Sequence, residues 1–158
     1  MKDNTREMLV FKLGSEEYGV DILKVQEIRG YEKVTPIPRS PDYLKGVVNL
    51  RGTIVPVIDL RVKFGMPDPT YDSLTMVIVL RIASRTIGAV VDAVSDVVQF
   101  APNEIREAPK LGAMVDSSYL AGVATQGDRM ILALDIEKLL STAEMNLLGE
   151  AAAAAPAS

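Results

Sequence analysis

The sequence predicts an all-β protein of two similar five-stranded β-barrel subdomains, with short helices and one C-terminal helix. Three observations carry the prediction. Short runs rich in β-branched residues recur along the 158 residues, separated by Gly, Pro, Asp and Ser, and helical periodicity is weak until the end. The run from Tyr43 to Leu60 returns in muted form from Tyr119 to Ile136, offset by 76 residues without a gap. Upstream, Leu9-Val10-Phe11-Lys12-Leu13 aligns with Ile78-Val79-Leu80-Arg81-Ile82 at an offset of 69, which also pairs Gly19 with Gly88, Val25 with Val94 and Glu27 with Asp96. Duplication explains the ordered matches better than chance likeness of apolar strands. The seven extra residues of the second half belong in the irregular stretch 102–118.

Each element follows in order. Leu9 to Leu13 is strand-like, Gly14-Ser15-Glu16 is a turn, and Glu17 to Val20 is the return strand. In the next strand, Val25, Glu27 and Arg29 share one face and Gln26 and Ile28 the other. Pro36, Pro38 and Pro41 mark an extended loop, since proline donates no ladder hydrogen bond. Gly46 to Leu50 and Thr53 to Ile58 are two strands about a turn at Arg51-Gly52. Met66 to Ser73 is a polar, proline-bearing linker. Strands resume at Thr75–Ile82, Thr86–Val91 and Val94–Phe100, then at Leu120–Ala124 and Met130–Leu134, with a short helix or loop over 102–109. Residues 136–148 form the amphipathic helix, and Ser141-Thr142-Ala143-Glu144 fits a capping box that divides it in two. The expected boundaries are 8–66 with helix 137–149 for one subdomain, 74–136 for the other, and a frayed tail over 150–158. A barrel of 60 to 70 residues protects its edges but is marginal alone, so the two are expected to share a core.

Composition excludes several functions. An apolar fraction of 48% and a charged fraction of 24% are globular values. A net charge of -4 gives no general attraction to nucleic acid or anionic lipid. The chain has no Cys and no His, which removes disulfides, thiolate chemistry and the commonest general base and metal ligand. The polar N-terminus lacks a signal-peptide core, and no apolar run is long enough to span a bilayer. The expectation is a cytoplasmic protein with no cofactor, no metal and no direct membrane insertion.

Two sets of residues invite a functional reading. Asp59 and Asp135 hold equivalent places in the halves, like the carboxylate pair of an aspartic protease. The Thr/Ser-Gly turn that holds such a dyad is absent, so each Asp is expected to cap a short helix. Lys45, Asn49 and Arg51 decorate the first half only. Arg51 is either a solvated turn residue or an exposed guanidinium suited to an interface.

These segments resemble the CheW family of chemotaxis coupling proteins. The resemblance rests on Phe11-Lys12-Leu13-Gly14, Glu17 to Ile22, Val25 to Arg29, Lys45 to Gly52, Pro56 to Arg61, Val91 to Val97 and Tyr119 to Gly122. It covers about residues 8–149 and makes them one CheW-like domain. It implies two SH3-like barrels and an adaptor without catalytic activity. The implied partners are the cytoplasmic tip of methyl-accepting chemoreceptors and the regulatory domain of the histidine kinase CheA. It implies recruitment to membrane receptor arrays through those partners. Weak self-association in arrays stays open, as does a role as a CheW-like regulatory module of another two-component complex. The positions matching the receptor-facing surface are Val25, Glu27, Lys45, Gly46, Asn49 and Arg51, with Val91 and Val94 on the opposite wall. Gly46 is expected to admit a partner helix close to the backbone. No motif marks the kinase contact.

Overall fold

The computed structural model describes residues 5–66, 69–107 and 119–154. In chain order they form β1 (Arg6–Leu13), β2 (Glu16–Asp21), β3 (Val25–Gly30), β4 (Leu44–Leu50), β5 (Thr53–Asp59), α1 (Leu60–Lys63), β6 (Met76–Ile82), β7 (Arg85–Val91), β8 (Ala93–Phe100), β9 (Ile105–Arg106), β10 (Leu120–Gln126), β11 (Arg129–Leu134) and α2 (Thr142–Ala154). Single 3-10 turns lie at Ile22–Lys24, Pro102–Glu104 and Ile136–Lys138. The expected strands are therefore all present.

The strands make two sheets of one design. Sheet A has the order β8-β1-β2-β11-β10-β9 and sheet B the order β3-β6-β7-β5-β4. In each, the central parallel contact has the same register: Ala133 opposite Gly19 in sheet A, Val57 opposite Gly88 in sheet B. Both repeats of the Tyr-Leu-x-Gly-Val motif carry a β-bulge, between Leu44 and Gly46 and between Leu120 and Gly122. The Tyr43 carbonyl accepts from the Asp59 amide at 2.8 Å, and the Tyr119 carbonyl from the Asp135 amide at 2.7 Å. The two-subdomain, SH3-like arrangement is thus a structural duplication.

The halves exchange hairpins. Strands β1 and β2 hydrogen-bond into the sheet of β8, β10 and β11, and β6 and β7 into the sheet of β3, β4 and β5. Sheet A therefore joins residues 6–21 to 93–134, and sheet B joins 25–59 to 76–91. The division at 8–66 and 74–136 does not follow the sheets. Strand exchange between equivalent halves keeps every pairing partner chemically similar, so a sequence offset alone cannot reveal it.

The exchange explains the apolar runs. In β1, Leu9, Phe11 and Leu13 enter a central core shared by the two sheets, while Met8 and Val10 face the interior of their own unit. Strand β6 repeats this, with Ile78, Leu80 and Ile82 central and Val77 and Val79 inside. A strand buried on both faces reads as a continuous apolar run rather than an alternation. Leu139, Leu140 and Leu148 bring the C-terminal segment onto the central core.

That segment is in two pieces. Ser141 Oγ accepts from the Glu144 amide at 3.1 Å, and Glu144 Oε1 accepts from the Ser141 amide at 3.0 Å. Helix α2 runs on to Ala154 rather than ending at 149, because its alanines have the highest helix propensity. Residues 155–158 of the expected tail lie outside the described residues, as do Pro67 and Asp68 of the linker and residues 108–118.

Candidate functional site

Asn49 and Arg51, two of the three residues unique to the first half, lie together at one end of sheet B, and Lys45 lies at the other end of β4. Arg51 and Gly52 form the two-residue turn between β4 and β5, both at positive φ (51° and 90°). Asn49 Oδ1 accepts from the Gly52 amide at 2.8 Å, so Asn49 braces the turn. From there Arg51 Nη2 reaches Glu27 Oε2 on β3 at 2.9 Å, and Arg29 Nη1 donates to Glu27 Oε1 at 3.3 Å. The hydrogen bond from Arg51, with Arg29 adding to it, holds the Glu27 carboxyl below its usual range. Arg51 remains 73% exposed. An exposed guanidinium fixed at one end has N–H groups left for a partner carboxylate or carbonyl.

Other expected positions fall differently. Val25 and Val94 sit half-buried at equivalent places, packed on the central core. Lys45 Nζ lies 5.8 Å from the Tyr71 ring centroid. Val91 is fully buried in the central core, so it offers no wall to a partner. Its place in the middle of two packed sheets was invisible to a motif. Gly46 (φ 151°) is also not an approach point for a partner. A Cβ there would overlap the Thr35 carbonyl, because Thr35 and Val47 exchange backbone hydrogen bonds directly over it. Gly122 is covered in the same way by the Arg106 carbonyl.

Asp59 and Asp135 both cap. Asp59 Oδ1 accepts from the Arg61 amide at 2.9 Å, and Asp135 Oδ1 from the Glu137 amide at 3.1 Å. Asp59 also anchors a buried network that sequence reasoning missed. Arg61, 2% exposed, donates to both carboxylate oxygens of Asp59 at 3.0 and 2.9 Å, to Asp92 Oδ1 at 2.7 Å and to the Thr70 carbonyl at 2.6 Å. Tyr71 donates its hydroxyl to Asp59 Oδ2 at 2.5 Å. Burial alone would raise the Asp59 carboxyl, but the Arg61 and Tyr71 hydrogen bonds outweigh it and hold it below its ordinary value. Asp92 Oδ2 accepts from the Gly14 amide at the tip of the β1–β2 hairpin, 2.7 Å away. The network therefore ties α1, the β7–β8 junction and the exchanged hairpin together. The only sequence signal for it was the Asp-x-Arg spacing after β5.

Among the described residues, no group of three or more acidic side chains could hold a metal ion. No helix among them is long and apolar enough to cross a membrane.

Comparison with known proteins places this arrangement. The CheW-like domain family model matches residues 7–144. The chain is 54% identical over 147 residues to the chemotaxis protein CheW of Klebsiella aerogenes, covering 93% of this chain and 89% of that one. It is 33% identical to a probable chemotaxis protein CheW of Rhizobium etli, covering 91% and 93% of the two chains. The crystal structure of the scaffolding protein TtCheW from Thermoanaerobacter tengcongensis superposes with a TM-score of 0.80 at 33% identity, over 87% of this chain and 93% of that one. A matched domain over most of the chain, the 54% identity across 147 residues and the shared fold make this chain a member of the CheW-like family.

Proposed function

We propose that the chain is a non-catalytic adaptor in chemotaxis, joining the cytoplasmic tip of chemoreceptors to the regulatory domain of the histidine kinase CheA. The relatives named as chemotaxis and scaffolding proteins support this reading. The protein works in the cytoplasm and reaches membrane receptor arrays through its partners. The receptor-facing surface is Glu27, Lys45 and Arg51, with Val25 and Val94 as its apolar component and Asn49 as the brace behind Arg51. The kinase regulatory domain takes a separate face.

One observation carries the site. Arg51 holds a left-handed backbone conformation that costs an L-residue about 1 kcal/mol or more. The equivalent position of the second half is Gly127 (φ 60°), which meets the same demand without strain. An arginine kept where glycine would suit the turn better is retained for its side chain.

The test is co-sedimentation of the purified full chain with a receptor cytoplasmic fragment and with the kinase regulatory domain. The expected result is binding of each alone and a ternary complex of all three. Binding of neither partner defeats the reading.

A further inference from the structure

The duplication gives the receptor-facing surface a local two-fold symmetry, and one charged cluster breaks it. Each half gives a hairpin to the other, so the two are related by a reciprocal, two-fold exchange. Val25 and Val94 are equivalent under it and pack on the same shared core, so the axis runs between them. Two residues further along each strand stand the equivalent carboxylates Glu27 and Asp96. An elongated partner laid between the two valines therefore meets similar walls in either of two opposite directions.

The charges beside the two walls differ. On sheet B, Glu27 is shared by two arginines, Arg51 at 2.9 Å and Arg29 at 3.3 Å, and Arg29 also meets Glu32 at 3.7 Å. Arg51 spends one N–H on Glu27 and stays 73% exposed. On sheet A the sharing is reversed, with one arginine between two carboxylates. Arg129, two residues past Gly127, donates to Asp96 at 3.0 and 2.9 Å and to Glu17 at 3.2 and 2.9 Å. These bonds use four of its five N–H groups and leave it 36% exposed. The residue equivalent to Glu17 in sheet B is the uncharged Thr86. Glu17 is thus what turns Arg129 from a half-matched guanidinium, as Arg51 is, into a fully engaged one.

We propose that Glu17 sets the direction in which the receptor tip lies across this surface. The inference rests on the assignment of the Arg51 face to the receptor. In one direction a carboxylate of the tip meets the free N–H groups of Arg51. In the reverse direction the same carboxylate meets Arg129 already held by Glu17 and Asp96, with one carboxylate in excess, and is repelled. The closed side therefore selects the direction together with the open one.

The test uses the full chain with a nitroxide on Asp128→Cys, in the β10–β11 turn beside Arg129; the chain has no other cysteine. Bound to an isotopically labelled receptor cytoplasmic fragment, the label is expected to broaden residues on one flank of the contact. With Glu17→Thr added, which copies Thr86, it is expected to broaden both flanks. In parallel titrations Arg51→Asn is expected to weaken fragment binding at least tenfold. Glu17→Thr combined with Arg51→Asn is expected to recover binding to within threefold of wild type, through the freed Arg129. Should Glu17→Thr fail to fold, Glu17→Gln removes the same charge with a side chain of nearly the same size. Both flanks broadened without Glu17→Thr, one flank with it, or no recovery in the double variant overturns the proposal. Arg51→Asn separates the failures: if it weakens binding and Glu17→Thr changes nothing, the direction proposal is wrong and the receptor face stands. If Arg51→Asn binds as wild type does, the receptor face fails as well.

Discussion

Arg51 and Gly127 hold the same place in the two halves, both at positive φ, and only Arg51 extends a side chain, 2.9 Å from Glu27. Backbone demand and side-chain role are therefore separable. Asn-Gly is the favoured pair for such a turn, so Arg51→Asn is expected to leave the thermal midpoint unchanged or raise it. Receptor binding is expected to fall by about 2 kcal/mol, the scale of an interface hot spot, with kinase binding retained. Arg51→Glu, which sets two carboxylates together, is expected to bind the receptor more weakly still. Parallel isothermal titrations of both partners check this; equal loss of both would remove the case for separate faces.

The buried Arg61 network makes a stability prediction. Arg61→Ala leaves the Asp59 carboxylate buried without its main partner, and the expected cost is about 3–5 kcal/mol. The double variant Asp59→Asn, Arg61→Met leaves no buried charge at the pair and is expected to lose less than the single one. Asp135→Asn touches an exposed cap and is expected to cost about 1 kcal/mol at most. Urea denaturation ranks the three, and a ranking with Asp135→Asn worst contradicts the network.

Gly46→Ala is expected to destabilise more than Gly122→Ala. Both meet a covering carbonyl, but only Gly46 also needs a φ that L-residues rarely adopt. Receptor affinity measured on whatever Gly46→Ala protein stays folded is expected to be near wild type, because the crowding comes from Thr35 and Pro36 of the chain itself.

Glu144 sets a pH dependence. Burial would raise its carboxyl, but Lys63, the Ser141 amide and Tyr43 together bring it from an ordinary 4.5 down to about 2. A depressed folded value stabilises the fold fully above pH 4.5, and this contribution is lost as pH falls toward 2. Burial and Glu144 correspondingly push Tyr43 up to about 12. Glu144→Gln is expected to be less stable at neutral pH and to lose less stability than wild type between pH 4.5 and 2. Parallel acid titrations of unfolding free energy measure the difference.

Much of this was legible in the sequence because it is local. The strands of β1 and β6, the Arg51-Gly52 turn, the Ser141–Glu144 box and both Asp caps follow from residues within a few positions of each other. The duplication was legible because the bulge glycine and the Tyr43 and Tyr119 contacts recur with fixed spacing. The hairpin exchange was not, since either copy could pair with either sheet. Val91 read as surface because a single strand does not say that both its faces are covered. Gly46 read as an approach point for a partner, when the occupant is Thr35 from the preceding loop. Arg61 was overlooked because its partner Asp92 lies 31 residues away and the Gly14 amide that completes the bridge lies farther still.

The adaptor reading is tested most directly by kinase activity in reconstituted receptor membranes, with full-length kinase and either wild-type chain or Arg51→Asn. The account predicts that wild type brings the kinase under receptor control, and that Arg51→Asn at the same concentration fails to do so while still binding the kinase. Receptor control restored fully by Arg51→Asn, or control that is the same with no chain added, would contradict it.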